Sequence, residues 1–278
     1  MKLLVTGADG HLGTAVRRVI ESDSGLTGVF SNSPRSKEAG VDVTDAAAVN
    51  GFIQKHKPDA VIHLPAVLGS ACDVDPRAAE AVNVDSVDVL CAAALRGGVR
   101  RIVLPSTAAV YGTDYDRPVG EHFPTKPGSL YARQKLAAES ILRHYARPRM
   151  QTSALRLFNV FGKTLTSSLV SKLLRSTARR PVELLGLDTF TRDYVHANDA
   201  AKALIAAATI STNEDYSLYN IGRGLATTNR QLVASLAQFA DVHYVLGESR
   251  WSYSCADIRR ASALLGYYPK KGLADALL

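Results

Sequence analysis

Lys2-Leu3-Leu4-Val5-Thr6-Gly7-Ala8-Asp9-Gly10-His11-Leu12-Gly13 runs from a short apolar, β-like stretch through a glycine-rich turn into a helical stretch. That context gives the glycines their meaning. With no side chains at Gly7, Gly10 and Gly13, the turn can pass close to a pyrophosphate. The phosphate charge then meets the free backbone N–H groups and positive dipole end of the helix opening near His11. The turn therefore points to a bound dinucleotide, with Gly7, Asp9, Gly10, His11 and Leu12 as its first contacts.

Around this turn, short apolar runs alternate with helical stretches. Residues 3–5, 28–31, 41–43, 60–64, 101–105 and 152–157 read as strands, and residues 12–21, 45–56, 77–96 and 130–145 as helices, with Asp45 and Asp75 as caps. Right-handed crossovers stack such strands into one sheet, so the predicted fold is α/β, a Rossmann-type doubly wound parallel sheet. Beyond Phe158 the rhythm changes to shorter elements at 182–185, 199–208, 217–221, 228–239 and 258–265. Residues 1–160 are expected to form the dinucleotide-binding domain, with later elements returning to it. Residues 161–278 are expected to form mainly a small C-terminal substrate-binding region.

The 278 residues are 46% hydrophobic and 21% charged, the composition of an ordinary globular protein. No signal peptide is read at the N-terminus and no apolar run reaches the length of a membrane span, so a cytoplasmic protein without a membrane partner is expected. Cys72, Cys91 and Cys255 are too widely spaced for a disulfide framework or a metal site and are expected to be buried thiols. The net charge of +7 comes from dispersed Lys and Arg, which suits a small phosphorylated substrate better than nucleic acid.

At the end of the second predicted strand, Val29-Phe30-Ser31-Asn32-Ser33-Pro34-Arg35 carries no carboxylate to accept two ribose hydroxyls. That absence favours NADP over NAD, with Ser31, Asn32, Ser33 and Arg35 around a 2′-phosphate. Asp42, followed by Val43, stands where a carboxylate can accept the adenine amino group.

Tyr131-Ala132-Arg133-Gln134-Lys135 sets a phenol and an ammonium one helical turn apart. A cation beside a phenol favours the phenolate, so the pair reads as a proton relay for hydride transfer at an alcohol carbon. Upstream, Pro105-Ser106-Thr107-Ala108-Ala109-Val110-Tyr111-Gly112 ends a strand, bringing hydroxyls to the carboxyl end of the sheet.

These residues resemble the extended short-chain dehydrogenase/reductase superfamily, in its branch acting on nucleotide-diphosphate sugars. The resemblance spans nearly the whole chain: TGADGHLG from Thr6, HLPA from His63, Asn83-Val84, PSTAAVYG from Pro105, YARQK from Tyr131, LRLFNVFG from Leu155, RDYVHAND from Arg192 and LGYYP from Leu265. It implies Tyr131 as acid/base, Lys135 as its pKa setter and a cofactor ribose ligand, and Thr107 as the hydroxyl on the reacting sugar oxygen. It further implies Leu64, Pro65, Ala66 and Asn83 around the cofactor. Asn159, Arg192 and Arg250 would hold the substrate's sugar or phosphates. Related dehydratases carry an Asp-Glu pair after the catalytic Thr, where this chain has Ala108 and Ala109, so elimination is disfavoured. A 4-epimerase and a 4-ketoreductase both stay open. So do a reductase of a non-nucleotide carbonyl and a redox-sensing regulator without turnover. The resemblance also implies a homodimer built on the helices around Val84 to Leu95 and Tyr131 to Tyr145.

Overall fold

The alternation of apolar runs and helices resolves in a computed structural model that describes residues 1–33 and 40–277. Its strands are β1 (Lys2–Thr6), β2 (Thr27–Ser31), β3 (Ala60–His63), β4 (Arg101–Thr107), β5 (Gln151–Leu157), β6 (Asn159–Phe161), β7 (Val182–Leu184), β8 (Phe190–His196), β9 (Tyr216–Ile221), β10 (Ala226–Thr228), β11 (Tyr244–Leu246) and β12 (Ser252–Ser254). The helices are α1 (His11–Glu21), α2 (Ala46–His56), α3 (Ala71–Val74), α4 (Pro76–Glu80), α5 (Ser86–Gly97), α6 (Leu130–Tyr145), α7 (Leu169–Leu174), α8 (Ala197–Thr209), α9 (Asn229–Leu236) and α10 (Arg259–Leu265).

Six strands form the main sheet in the order β2-β1-β3-β4-β5-β9, every pair parallel. Their sequences are continuous apolar runs because both faces are covered. On one face Val16 and Ile20 of α1 and Leu204 of α8 pack over Leu3, Val5 and Ile62. On the other, Ile53 of α2, Leu90 of α5 and Leu142 of α6 pack over Leu4, Val61 and Leu104. The chain runs from β1 outward to β2, then returns to β3 on the far side of β1. The strand order therefore reverses beside β1, where a crevice opens at the carboxyl ends.

Local signals set the helix ends. Asp45 accepts from the N–H groups of Ala47 and Ala48 at the start of α2, and Asp75 accepts from Ala78 at the start of α4. The predicted helix over 77–96 is interrupted by a π-helical turn at Ala81–Asp85.

The strand predicted at 41–43 does not form. Its place is reduced to a single parallel bridge between Asn32 and Gly40. Asp42 Oδ1 accepts from both the N–H and the hydroxyl of Thr44, at 2.9 and 2.7 Å, which turns the chain away. Val41 and Val43 instead line a small cavity with Val49, Phe52 and Leu90.

Residues past 160 split between two places. β9, α8 and α10 complete the main sheet and its cover. The rest forms a smaller layer: β8 pairs antiparallel with β10 and parallel with β6 and β12, over a core that includes Phe161, Leu173, Tyr194 and Leu232. Cys72, Cys91 and Cys255 are free and buried. Among the described residues no helix is long and apolar enough to cross a membrane.

Candidate functional site

The glycine turn is built by close approach. Gly7 has φ +68°, and a Cβ there would lie 3.1 Å from Pro65 N. A Cβ on Gly13 would lie 2.4 Å from Gly7 O, so α1 can start against the turn only with glycine there. Gly10 is the N-cap of α1, with no side-chain cap and no acid in the first turn, and His11 is exposed beside it. The first N–H groups of α1 thus face outward as an uncovered anion cradle.

Across the crevice stands the loop after β3. Leu64 N donates to Thr6 O at 3.2 Å, and half-buried Pro65 and Ala66 follow. Asn83, in the π-helical turn, grips Val67 at two points: its Oδ1 accepts from Val67 N at 2.9 Å and its Nδ2 donates to Val67 O at 3.0 Å. The other amide hydrogen goes to Gln134 Oε1 at 2.8 Å. Expected as a cofactor ligand, Asn83 instead has its donors committed inside the fold, and it ties the β3 loop to α6. Beneath the crevice, His63 Nδ1 lies 2.8 Å from Thr6 Oγ1 and Nε2 lies 3.0 Å from Ser86 Oγ. The Ser86 hydroxyl hydrogen goes to Val82 O, so His63 donates through Nε2 and accepts from Thr6. Burial and the Lys135 charge hold this ring neutral down to about pH 3.

At the end of β2, two of the four residues expected around a 2′-phosphate have their side chains engaged inside the fold. Ser31 is buried and its hydroxyl accepts from Val41 N at 3.0 Å. Asn32 is buried and its Oδ1 accepts from Arg17 Nη2 at 3.2 Å. Both side chains are used to hold the fold. Ser33 donates its N–H to Asp9 Oδ1 at 2.8 Å, and Arg35 lies outside the described residues. Asp42 is exposed with Val43 half-buried behind it, and its bonds from Thr44 hold its carboxyl below the usual range.

Thr107 closes β4 and accepts from Ala109 N at 3.2 Å. Ser129 caps α6, the helix that carries the relay. Tyr131 and Lys135 lie one turn apart on it, and neither side chain has a hydrogen bond or ion pair among the described residues. Burial governs both groups. It pushes the Tyr131 phenol up to about 12, and it lowers the Lys135 ammonium to about 8 against the opposing pull of Glu139. The lowered phenol expected from the spacing is therefore not produced by the protein alone. Cys72 lies close enough to affect both groups electrostatically.

One helical turn beyond Lys135, Glu139 takes two bonds from Arg156 and one from the Ser106 hydroxyl. This buried set joins the end of β4 to α6. Sequence reading missed it, although Tyr131, Lys135 and Glu139 at i, i+4 and i+8 form a legible stripe. The Arg156 guanidinium also lies 4.6 Å over the Tyr111 ring, whose hydroxyl donates to Asn220 Oδ1 at 2.8 Å.

On the smaller layer, β6 and β8 set Asn159 opposite Tyr194, and Asn159 Nδ2 donates to Asp193 O at 3.1 Å. Half-buried Arg192 stacks 3.8 Å over Phe190 and donates to Ser252 Oγ at 2.8 Å, and burial lowers its guanidinium to about 10. Neither Asp193 nor Asp199 pairs with it. Asp193 is buried against the N–H groups of Arg223, Gly224 and Ala256, and Asp199 receives those of Lys270 and Lys271. Arg250 is exposed, and its guanidinium lies 3.5 Å from Glu248. His196 is structural, its Nδ1 accepting from Asn198 N at the start of α8.

The chain is similar to known proteins over its whole length. A UDP-glucose 4-epimerase of Mycolicibacterium smegmatis is 30% identical over 100% of this chain and 96% of its own length. The solved structure of MoeE5 in complex with UDP-glucuronic acid and NAD aligns over 100% of this chain and 96% of that one, at 28% identity and a TM-score of 0.87. A UDP-glucose 4-epimerase of Thermotoga maritima, solved with UDP-glucose, does so over 100% and 96% at 26% identity, with the same TM-score of 0.87. A sequence model of the NAD dependent epimerase/dehydratase family matches residues 3–222, and the chain belongs to that family, as an enzyme of the extended short-chain dehydrogenase/reductase type.

Proposed function

We propose that this enzyme is a 4-epimerase of a nucleotide-diphosphate sugar. The observation that carries the reading is the buried, unpartnered Lys135 ammonium one turn from the unpartnered Tyr131 hydroxyl, on a helix tied to the strand end bearing Thr107. A buried cation without a partner costs stability, and a ligand that supplies ribose hydroxyls relieves that cost. The uncovered start of α1 fits the pyrophosphate of the same ligand.

The glycine turn and Lys135 would hold a nicotinamide dinucleotide, which would supply a reversible hydride acceptor for one sugar carbon. Thr107 holds the sugar oxygen by a hydrogen bond. Tyr131 takes the hydroxyl proton as the hydride leaves and restores it when the hydride returns. Lys135, one turn away, is the cation that would favour the phenolate once the site is filled. Arg192 and Asn159 anchor the diphosphate or the sugar. Ala108 and Ala109, in place of acids, leave no acid/base pair for elimination. A net ketoreductase is the second reading, supported by the absence of a carboxylate on β2 itself. Assembly as a homodimer through α5 and α6 belongs to the proposal and is read by light scattering.

The experiment is to purify the protein, identify any dinucleotide that travels with it, and offer NADH or NADPH with a panel of nucleotide sugars and their 4-keto forms. Interconversion of 4-epimers without net consumption of reduced cofactor is expected. Stoichiometric oxidation of reduced cofactor against a 4-keto sugar overturns the epimerase.

A further inference from the structure

No carboxylate stands on β2, yet one reaches its end from the glycine turn. Asp9 Oδ1 accepts from Ser33 N at 2.8 Å, and the preceding residue, Ala8, donates its N–H to Ser31 O at 3.1 Å. The turn and the strand end are thus joined at adjacent points, with the Asp9 carboxylate between them. Asp9 is exposed, and among the described residues its second oxygen takes no hydrogen bond or ion pair. Among the described residues, Arg17 near this strand end is already engaged: it lies 4.4 Å over the Phe30 ring and donates to Asn32.

We propose that Asp9 makes the site selective for NAD over NADP, by accepting a hydrogen bond from the adenine-ribose 2′-hydroxyl and repelling a phosphate in its place. A carboxylate only accepts, so it complements a hydroxyl and opposes a phosphate dianion. With Ser31 and Asn32 turned into the fold, two of the four residues expected around that phosphate are engaged elsewhere. The proposal reverses the preference for NADP drawn from the bare strand, because the acid comes from the neighbouring turn. It rests on reading the glycine turn as a dinucleotide site.

The test is equilibrium binding of NAD+ and NADP+ by calorimetry to the whole chain freed of nucleotide. The natural protein is expected to bind NAD+ more tightly. Asp9→Asn keeps an amide oxygen for Ser33 N–H while removing the charge. It should shift the affinity ratio towards NADP+ by about tenfold, the scale of one solvent-screened charge contact. Asp9→Ala also removes the tie to Ser33 and should weaken both ligands. An unchanged ratio in Asp9→Asn, or a natural preference for NADP+, overturns the role of Asp9 and leaves the dinucleotide site standing. Binding of neither nucleotide overturns the site itself and this proposal with it.

Discussion

Glu139 and Arg156 are joined by a two-point ion pair, Nε to Oε1 at 3.0 Å and Nη2 to Oε2 at 2.7 Å, with both side chains only 5% exposed. Glu139 is also the group that opposes the loss of the Lys135 proton. Glu139→Gln leaves the Arg156 charge buried and unmatched, at a cost of about 3 kcal/mol. It also lowers the pH at which Lys135 deprotonates. Urea unfolding reads the first effect, and the alkaline limb of the pH–rate profile, moved to lower pH, reads the second.

Lys135 itself is strained for function. Its folded pKa is depressed from 10.5 to about 8, so the folded protein holds fewer protons than the unfolded chain between those values, and stability rises with pH across that window. Lys135→Met removes a buried charge worth about 3 kcal/mol at neutral pH. The variant should melt higher than the natural protein without cofactor, lose the alkaline rise in stability and have no activity.

Tyr131→Phe removes a hydroxyl with no hydrogen bond among the described residues, so the melting temperature should hardly move. Turnover should fall by about 10²- to 10⁴-fold, the range for loss of a general acid/base. Unchanged turnover would sink the relay.

Gly13→Ala forces a methyl to 2.4 Å from Gly7 O. The start of α1 must shift, so dinucleotide binding is expected to be lost and the urea midpoint to drop. Calorimetry and unfolding on one preparation check both.

Arg192→Lys keeps a charge but loses the stack on Phe190 and the fork to Ser252. If Arg192 anchors the diphosphate, KM for the nucleotide sugar should rise about tenfold with kcat nearly kept.

The parallel half of the fold was legible because burial on both faces writes β1, β3, β4 and β5 as apolar runs, and because Asp45 and Asp75 announce their helices. β6, β8, β10, β11 and β12 were missed. They are short or polar, as in Phe190-Thr191-Arg192-Asp193, and owe their pairing to partners distant in sequence. Val41 to Val43 misled in the opposite direction, since its apolar residues plug a core while Asp42 turns the backbone. At the site, the order of glycines, Thr107, Tyr131 and Lys135 was visible in the sequence. The sharing of Glu139 by Arg156 and Ser106, and the reach of Asp9 to Ser33, depend on contacts that only folding brings together.

His63 links the floor of the crevice from Thr6 to Ser86 through a ring that stays uncharged down to about pH 3. Lys135 and Tyr131 titrate far above that, at about 8 and 12. Acidity can therefore switch the chemistry of this site without shifting its walls. A slowing of the enzyme in mild alkali should be instantly reversible and leave no trace in the near-ultraviolet signal of its buried tyrosines, because it discharges one ammonium above a histidine link that stays neutral there.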